Sequence, residues 1–246
     1  MKSISIFCLT VLCMGLLSCS STSMQAEPSQ GAGFVPMDEM ANREDLPFDK
    51  IWVKSGIDLK KYNTIYFKDV NTSYLIKRDW WKEQFRKDKV EADAKEVAQY
   101  MKKAFVTAFQ KDPKKRFTVI ETPDANSLTV ELALTELVPS DPVLEAIGLA
   151  APYGSGTVLM AAVKGSGARA TVAFEAKIKD TSSGEVLAMA ADRRYGKVAP
   201  INLRGLTWYG ESEVVIDDWA NEFVEIANKQ PGEVIKPASP FTLSPW

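Results

Sequence analysis

Apolar and polar residues alternate along several stretches of the chain and recur at three- and four-residue spacing along two others. From Thr64 to Val70, Ile65 and Phe67 alternate with Tyr66 and Lys68, the period of a strand. Phe117 to Glu121 is a second apolar run of strand length. Further on, Leu128, Val130, Leu132 and Leu134 point one way while Thr129, Glu131 and Thr135 point the other, which predicts a strand with one wet face. Val172, Phe174, Ala176 and Ile178 repeat the pattern. Asp180-Thr-Ser-Ser-Gly184 then turns the chain into a strand from Glu185 to Tyr195. Between the first two strands, Ala94, Val97, Ala98, Met101, Ala104, Phe105, Ala108 and Phe109 mark the buried face of a long helix, stopped at Asp112-Pro113. A second helix is predicted over about 211–228, with Val215, Ile216, Trp219, Phe223 and Ile226 on its stripe and Asp217, Asp218, Glu222 and Glu225 off it.

These elements run β-α-β-β-β-β-α. The first helix joins neighbouring strands, so strands one and two should be parallel with a right-handed crossover. The expected fold class is α+β: a single mixed sheet of about five strands with two amphipathic helices on one face. Residues 34–59 carry Phe34, Phe48, Ile51 and Trp52 without helical period and read as an extended arm lying on the domain. The tail from Pro231 is proline-rich and extended.

The start of the chain has a different pattern. Lys2 precedes an apolar run from Ile4 to Leu17, too short to span a bilayer, which takes about 20 apolar residues. The three-zone arrangement is that of a signal peptide over residues 1–18. Its end, Leu16-Leu17-Ser18-Cys19, resembles the lipobox of bacterial lipoproteins, although Leu17 is bulkier than is usual there. The resemblance implies a diacylglycerol thioether and an acylated amino group on Cys19, and several acyl chains anchor far more firmly than one. Ser20 in place of Asp implies sorting to the outer membrane. The competing reading is an ordinary secretory signal cut after Ala26, with Cys19 discarded. Residues 19–33 then form the lipidated cysteine and a small, polar tether, with a random-coil span of roughly 20 Å. Residues 34–230 are read as one periplasmic domain and 231–246 as its tail.

Composition narrows the chemistry. Cys8 and Cys13 lie in the leader, so the domain carries no cysteine and no disulfide. The chain has no histidine, which excludes the Ser-His-Asp and Cys-His mechanisms and makes a zinc site unexpected. A formal net charge of −2 gives no global basic signature for nucleic acid. Nothing in the sequence points to a cofactor.

Three places draw attention as binding candidates. Trp80, Trp81, Lys82 and Arg86 interleave aromatics with cations between the first strand and the long helix, a composition that stacks on sugars and pairs with anions; a solvated first helical turn whose tryptophans cap the core is the favoured reading of the two. Arg193 and Arg194, after Asp192, suit an anion or a partner carboxylate, or an ion pair at a strand end. Residues 142–167 are apolar and rich in small residues, suited to packing on the sheet or to an apolar contact outside the chain. No pair of carboxylates stands out, and the adjacent Asp217 and Asp218 do not converge on a helix.

Gly56-Ile-Asp-Leu-Lys-Lys-Tyr-Asn-Thr-Ile-Tyr-Phe, Asp180-Thr-Ser-Ser-Gly-Glu-Val-Leu and Asp192-Arg-Arg-Tyr-Gly resemble a family of uncharacterised bacterial lipoproteins, a domain of unknown function, over roughly residues 34–228. The element order is similar to the periplasmic domains of the curli-secretion lipoprotein, of the lipoprotein activators of penicillin-binding proteins, and to the amino-terminal domain of TolB. Those relatives bind proteins and do not catalyse. The resulting expectation is a non-catalytic binding or assembly module, anchored in the outer membrane through lipid on Cys19 and facing the periplasm. Its partner is expected to be another envelope protein, with glycan or lipid as the other candidates, and no nucleic acid. A carrier for an apolar ligand and a carboxylate-dependent glycan hydrolase are the rival readings.

Overall fold

The computed structural model describes residues 26–76, 90–140, 170–197, 203 and 206–242. The leader, Cys19, the first part of the tether and the 142–167 stretch lie outside these residues. Six strands form one mixed sheet: β1 (Lys50–Val53), β2 (Thr64–Phe67), β3 (Thr118–Ile120), β4 (Ser127–Val138), β5 (Thr171–Asp180) and β6 (Val186–Tyr195), in the spatial order β1-β6-β5-β4-β2-β3. β2 pairs in parallel with both β3 and β4, and the remaining pairs are antiparallel. Two helices, α1 (Val90–Gln110) and α2 (Gly210–Ala227), pack on each other and on the same face of the sheet. The α+β class, the single mixed sheet and the shared helix face are therefore as the pattern predicts.

The sixth strand is β1, which the pattern assigns to the arm. It is only four residues long, and its periodicity is too brief to register. Its pairing partner β6, whose Ala190 lies opposite Ile51, supplies the order. The outer edge of β1 is closed in turn, because Ala41 and Ile51 exchange both backbone hydrogen bonds, at 3.1 and 2.8 Å.

The helix face holds the main core. Phe48, Phe105, Phe174, Trp219 and Phe223 meet there, with ring centroids 4.7 to 5.8 Å apart in tilted and edge-on pairs, the arrangement aromatic quadrupoles favour. Leu128, Val130, Leu132 and Leu134 join it from β4.

The opposite face, predicted wet over β4, is wet only in part: Glu131 pairs there with the exposed Lys68 and with Lys179, whereas Thr129, bonded to Thr181 of the turn at 2.7 Å, and Thr135 are buried, and the face is covered beyond them. The arm is the cover. Phe34, Val35 and Met40 pack there with Ala133, Met189 and Ala191, and Phe34 meets Tyr74 edge-on at 5.2 Å. The arm is pinned by a carboxylate: Glu175 of β5, fully buried, accepts hydrogen bonds from the backbone N–H groups of Ala32 and Val35 at 2.5 and 2.7 Å. Gly31 and Gly33, both at positive φ near 90°, permit the bend that aims the Ala32 N–H at that carboxylate. Ala26 is itself buried, and the residues 26–33 assigned to the tether are laid against the domain.

Candidate functional site

Strand periodicity sends Asp192, Arg193 and Arg194 to alternate faces of β6. Arg193 faces the arm. Its guanidinium pairs with Glu136 of β4 through two hydrogen bonds, 2.7 and 3.1 Å, and donates to the carbonyl of Glu27 at 3.2 Å. A bulge in β4 between Leu134 and Glu136 puts the Glu136 carboxylate there, buried.

Asp192 and Arg194 face α2. Arg194 holds Glu222 in a bidentate pair with both bonds at 2.8 Å, pairs with Asp192 at 2.7 Å, and donates to the Pro47 carbonyl at 3.2 Å. Trp219 Nε1 donates to Asp192 at 2.7 Å. Glu222, which the helical pattern puts off the apolar stripe, is buried. It sits three residues after Trp219 and seven after Val215, so it shares their face, and Arg194 satisfies its charge. Burial works against the Arg194 cation, but Asp192 and Glu222 outweigh it and hold the guanidinium more firmly protonated than usual.

Asp49, just before β1, completes the network. Its carboxylate accepts from the Arg193 backbone N–H at 3.2 Å, and its own N–H donates to Asp192 at 3.2 Å. Burial and the adjacent Asp192 carboxylate push Asp49 up to about 7, since both the loss of solvent and a like charge nearby disfavour its ionised form. Nothing in the sequence marks Asp49, because it lies in a segment without periodicity and 143 residues before its partner.

A cleft of about 60 Å³ opens beside this network, lined by Asp49, Arg194, Lys197 and Asp218 and roofed by Ala26 and Pro237–Pro240. That is room for a few water molecules. Lys197 pairs with Asp218 at 2.7 Å, and the Ala238 N–H donates to Glu222 at 2.7 Å. The two ends of the described chain, the arm and the tail, therefore meet over the same charges. Among the described residues no cluster of carboxylates, cysteines or histidines could hold a metal ion.

Of the predicted site residues, Arg193 and Arg194 fall on opposite faces and are both engaged by internal carboxylates. Trp80, Trp81, Lys82 and Arg86 lie outside the described residues, as does Cys19.

A family model of proteins of unknown function, DUF3313, matches residues 34–223. The chain belongs to this DUF3313 family. No curated protein matches it. Among solved structures, two PelC dodecamers from Paraburkholderia phytofirmans, one a single-residue variant, are similar over 70% of this chain and 94 and 95% of theirs, at 9 and 12% identity and TM-scores of 0.38 and 0.37. The DUF3313 span contains the whole network of Asp49, Asp192, Arg194, Trp219 and Glu222, whereas Ala26 and the tail that roof the cleft fall outside it.

Proposed function

We propose that this DUF3313 chain is a lipoprotein anchored in the outer membrane through Cys19, faces the periplasm, and acts as a non-catalytic module that binds another envelope protein. The reading rests first on the leader and its Leu16-Leu17-Ser18-Cys19 ending. The observation that carries the non-catalytic part is the self-neutralisation of the charge network. Arg194 is spent on Asp192 and Glu222, and Arg193 on Glu136. Asp49 and Asp192 touch, so they are closer than the 5 to 10 Å that a glycosidase pair needs to straddle its bond and water. The network reads as a clamp that joins arm, sheet, helix and tail into one body.

Anchoring is tested by growing cells on an alkyne fatty acid and following label on the native chain and on Cys19→Ala. Label on the native chain alone, recovered in the outer-membrane fraction, supports the anchor; equal label on both removes it. The binding role is tested by crosslinking in living cells with affinity capture and mass spectrometry. A specific envelope protein lost from Cys19→Ala supports the module, and repeated capture of bait without any protein counts against it.

A further inference from the structure

The end of the sheet away from the arm carries a concentration of cations that the charge network does not use. Lys60 and Lys61 end a short 3-10 turn over Leu59–Lys61. Lys111, Lys114, Lys115 and Arg116 follow α1, and Arg116 ties the two segments together by donating to the carbonyls of Leu59 and Tyr62 at 2.6 and 2.9 Å. Five of the six cations are exposed and Arg116 is partly so. Three acids stand beside them, and two are committed elsewhere. Asp112 is buried and accepts from the N–H groups of Lys114 and Arg116 and from Asn228. Asp180 accepts from Tyr62 and from Ser182 and Ser183 of its turn, and pairs with the exposed Lys61 at 3.5 Å. Asp58 caps the 3-10 turn. Lys60, Lys111, Lys114 and Lys115 make no ion pair among the described residues.

Two further features fit this patch to a polypeptide. The adjoining β3 is the edge of the sheet. Thr118 donates to the Asn63 carbonyl at 2.8 Å, so alternation along the strand turns the Val119 N–H and C=O outward, where an added strand can bond them. Leu59 stands 40% exposed among the lysines, while the neighbouring rings of Tyr62 and Phe117 are buried and offer no platform for stacking sugars. Lysines on a short edge strand discourage pairing with neutral or basic strands; an acidic strand meets complementary charge.

We propose that Lys60, Lys61, Lys111, Lys114, Lys115 and Arg116, beside the β3 edge, form the docking surface for an extended acidic segment of a partner protein. This rests on the binding-module reading and gives it a partner chemistry and a direction. The arm leaves the domain beside Arg193, opposite Ala173, whereas the patch lies level with Asp180, roughly 24 Å further along the strands at about 3.4 Å per residue. An anchor on the arm side would hold the patch facing away from the membrane.

The test measures fluorescence anisotropy of a labelled oligoglutamate with the full mature chain in neutral micelles. Lys60→Glu/Lys114→Glu/Lys115→Glu should weaken binding by roughly tenfold or more, and binding should weaken as salt rises. Lys95→Glu/Lys103→Glu, on exposed positions of α1, should leave it within about twofold; circular dichroism melts check that both variants fold. Equal losses in the two variants, no binding by the native chain, or tighter binding of a sulfated polysaccharide of matched charge would each overturn the proposal. A photo-crosslinker at Lys115 in living cells separates the two ideas. Protein crosslinks from Lys95 but not Lys115 would sink the patch and leave the module standing, whereas crosslinks from neither would count against both.

Discussion

Single side chains in this protein carry consequences out of proportion to their size where charge is buried. Replacing Arg194 with Ala strips counter-charge from Asp192 and Glu222 at once, and should destabilise the domain by about 3–5 kcal/mol, read as a shift of the urea midpoint. Asp49 has the opposite sign. Folding raises its pKa, so between about 4 and 7 the folded chain holds a proton the unfolded chain has lost, and stability falls as pH rises through that window. Above about 7 both states are ionised and the dependence ends. Asp45, held down to about 2 chiefly by Arg43, behaves conversely, losing its contribution as pH falls below about 4. The melting temperature should therefore peak near pH 4. Asp49→Asn keeps an acceptor for the Arg193 N–H and a donor for Asp192; it should stabilise the protein at pH 8 by on the order of 1–2 kcal/mol and flatten the decline between pH 5 and 7. An unchanged slope would mean another group titrates there. Lys115 sits at φ 47°, where a Cβ costs about 1–2 kcal/mol, so Lys115→Gly, after about 0.4–1 kcal/mol of added unfolded-chain entropy, should gain on the order of 1 kcal/mol.

At the scale of elements, the arm decides how much of the sheet's second face is covered. Phe34→Ala removes an anchor that packs on Tyr74 and carries Lys177 over its ring at 4.4 Å. It should cost about 3 kcal/mol, and amide exchange should rise along the arm before it rises in α1 or α2. Exchange rising equally in all elements would show that the arm and the helix face unfold together. The alternation of Leu128, Val130, Leu132 and Leu134 makes β4 legible in the sequence, and so does the turn at Asp180, where the carboxylate accepts the Ser182 and Ser183 N–H groups and Gly184 takes φ 71°. Burial of Ala133, Met189 and Ala191 under Phe34, Val35 and Met40 is not legible, because it depends on a segment about a hundred or more residues earlier whose own pattern is aperiodic. Glu222 departs from the pattern for a related reason: its charge puts it off the apolar stripe although its spacing from Val215 and Trp219 fits the buried face, and only Arg194 on a separate strand makes a carboxylate tolerable there.

The whole molecule has a direction. Its arm and tail converge over the Asp192 network, while the cationic corner and the open β3 edge lie at the other end. With lipid on Cys19, only six residues separate the anchor from the buried Ala26, at most about 25 Å of extended chain, so the domain would stand close to its membrane. Local periodicity and turn chemistry determined the helices, the longer strands and the α+β class, since those depend on contacts between near neighbours in the chain. The missing histidines excluded whole mechanisms, and the leader carried the expectation of an anchor. Tertiary structure alone decided that β1 joins the sheet, that the arm covers part of its second face, that Arg193 and Arg194 serve different carboxylates, and that Asp49 lies against Asp192. Each of these is a pairing of distant residues through space, and the energy of a buried charge is set by the partners that surround it after folding.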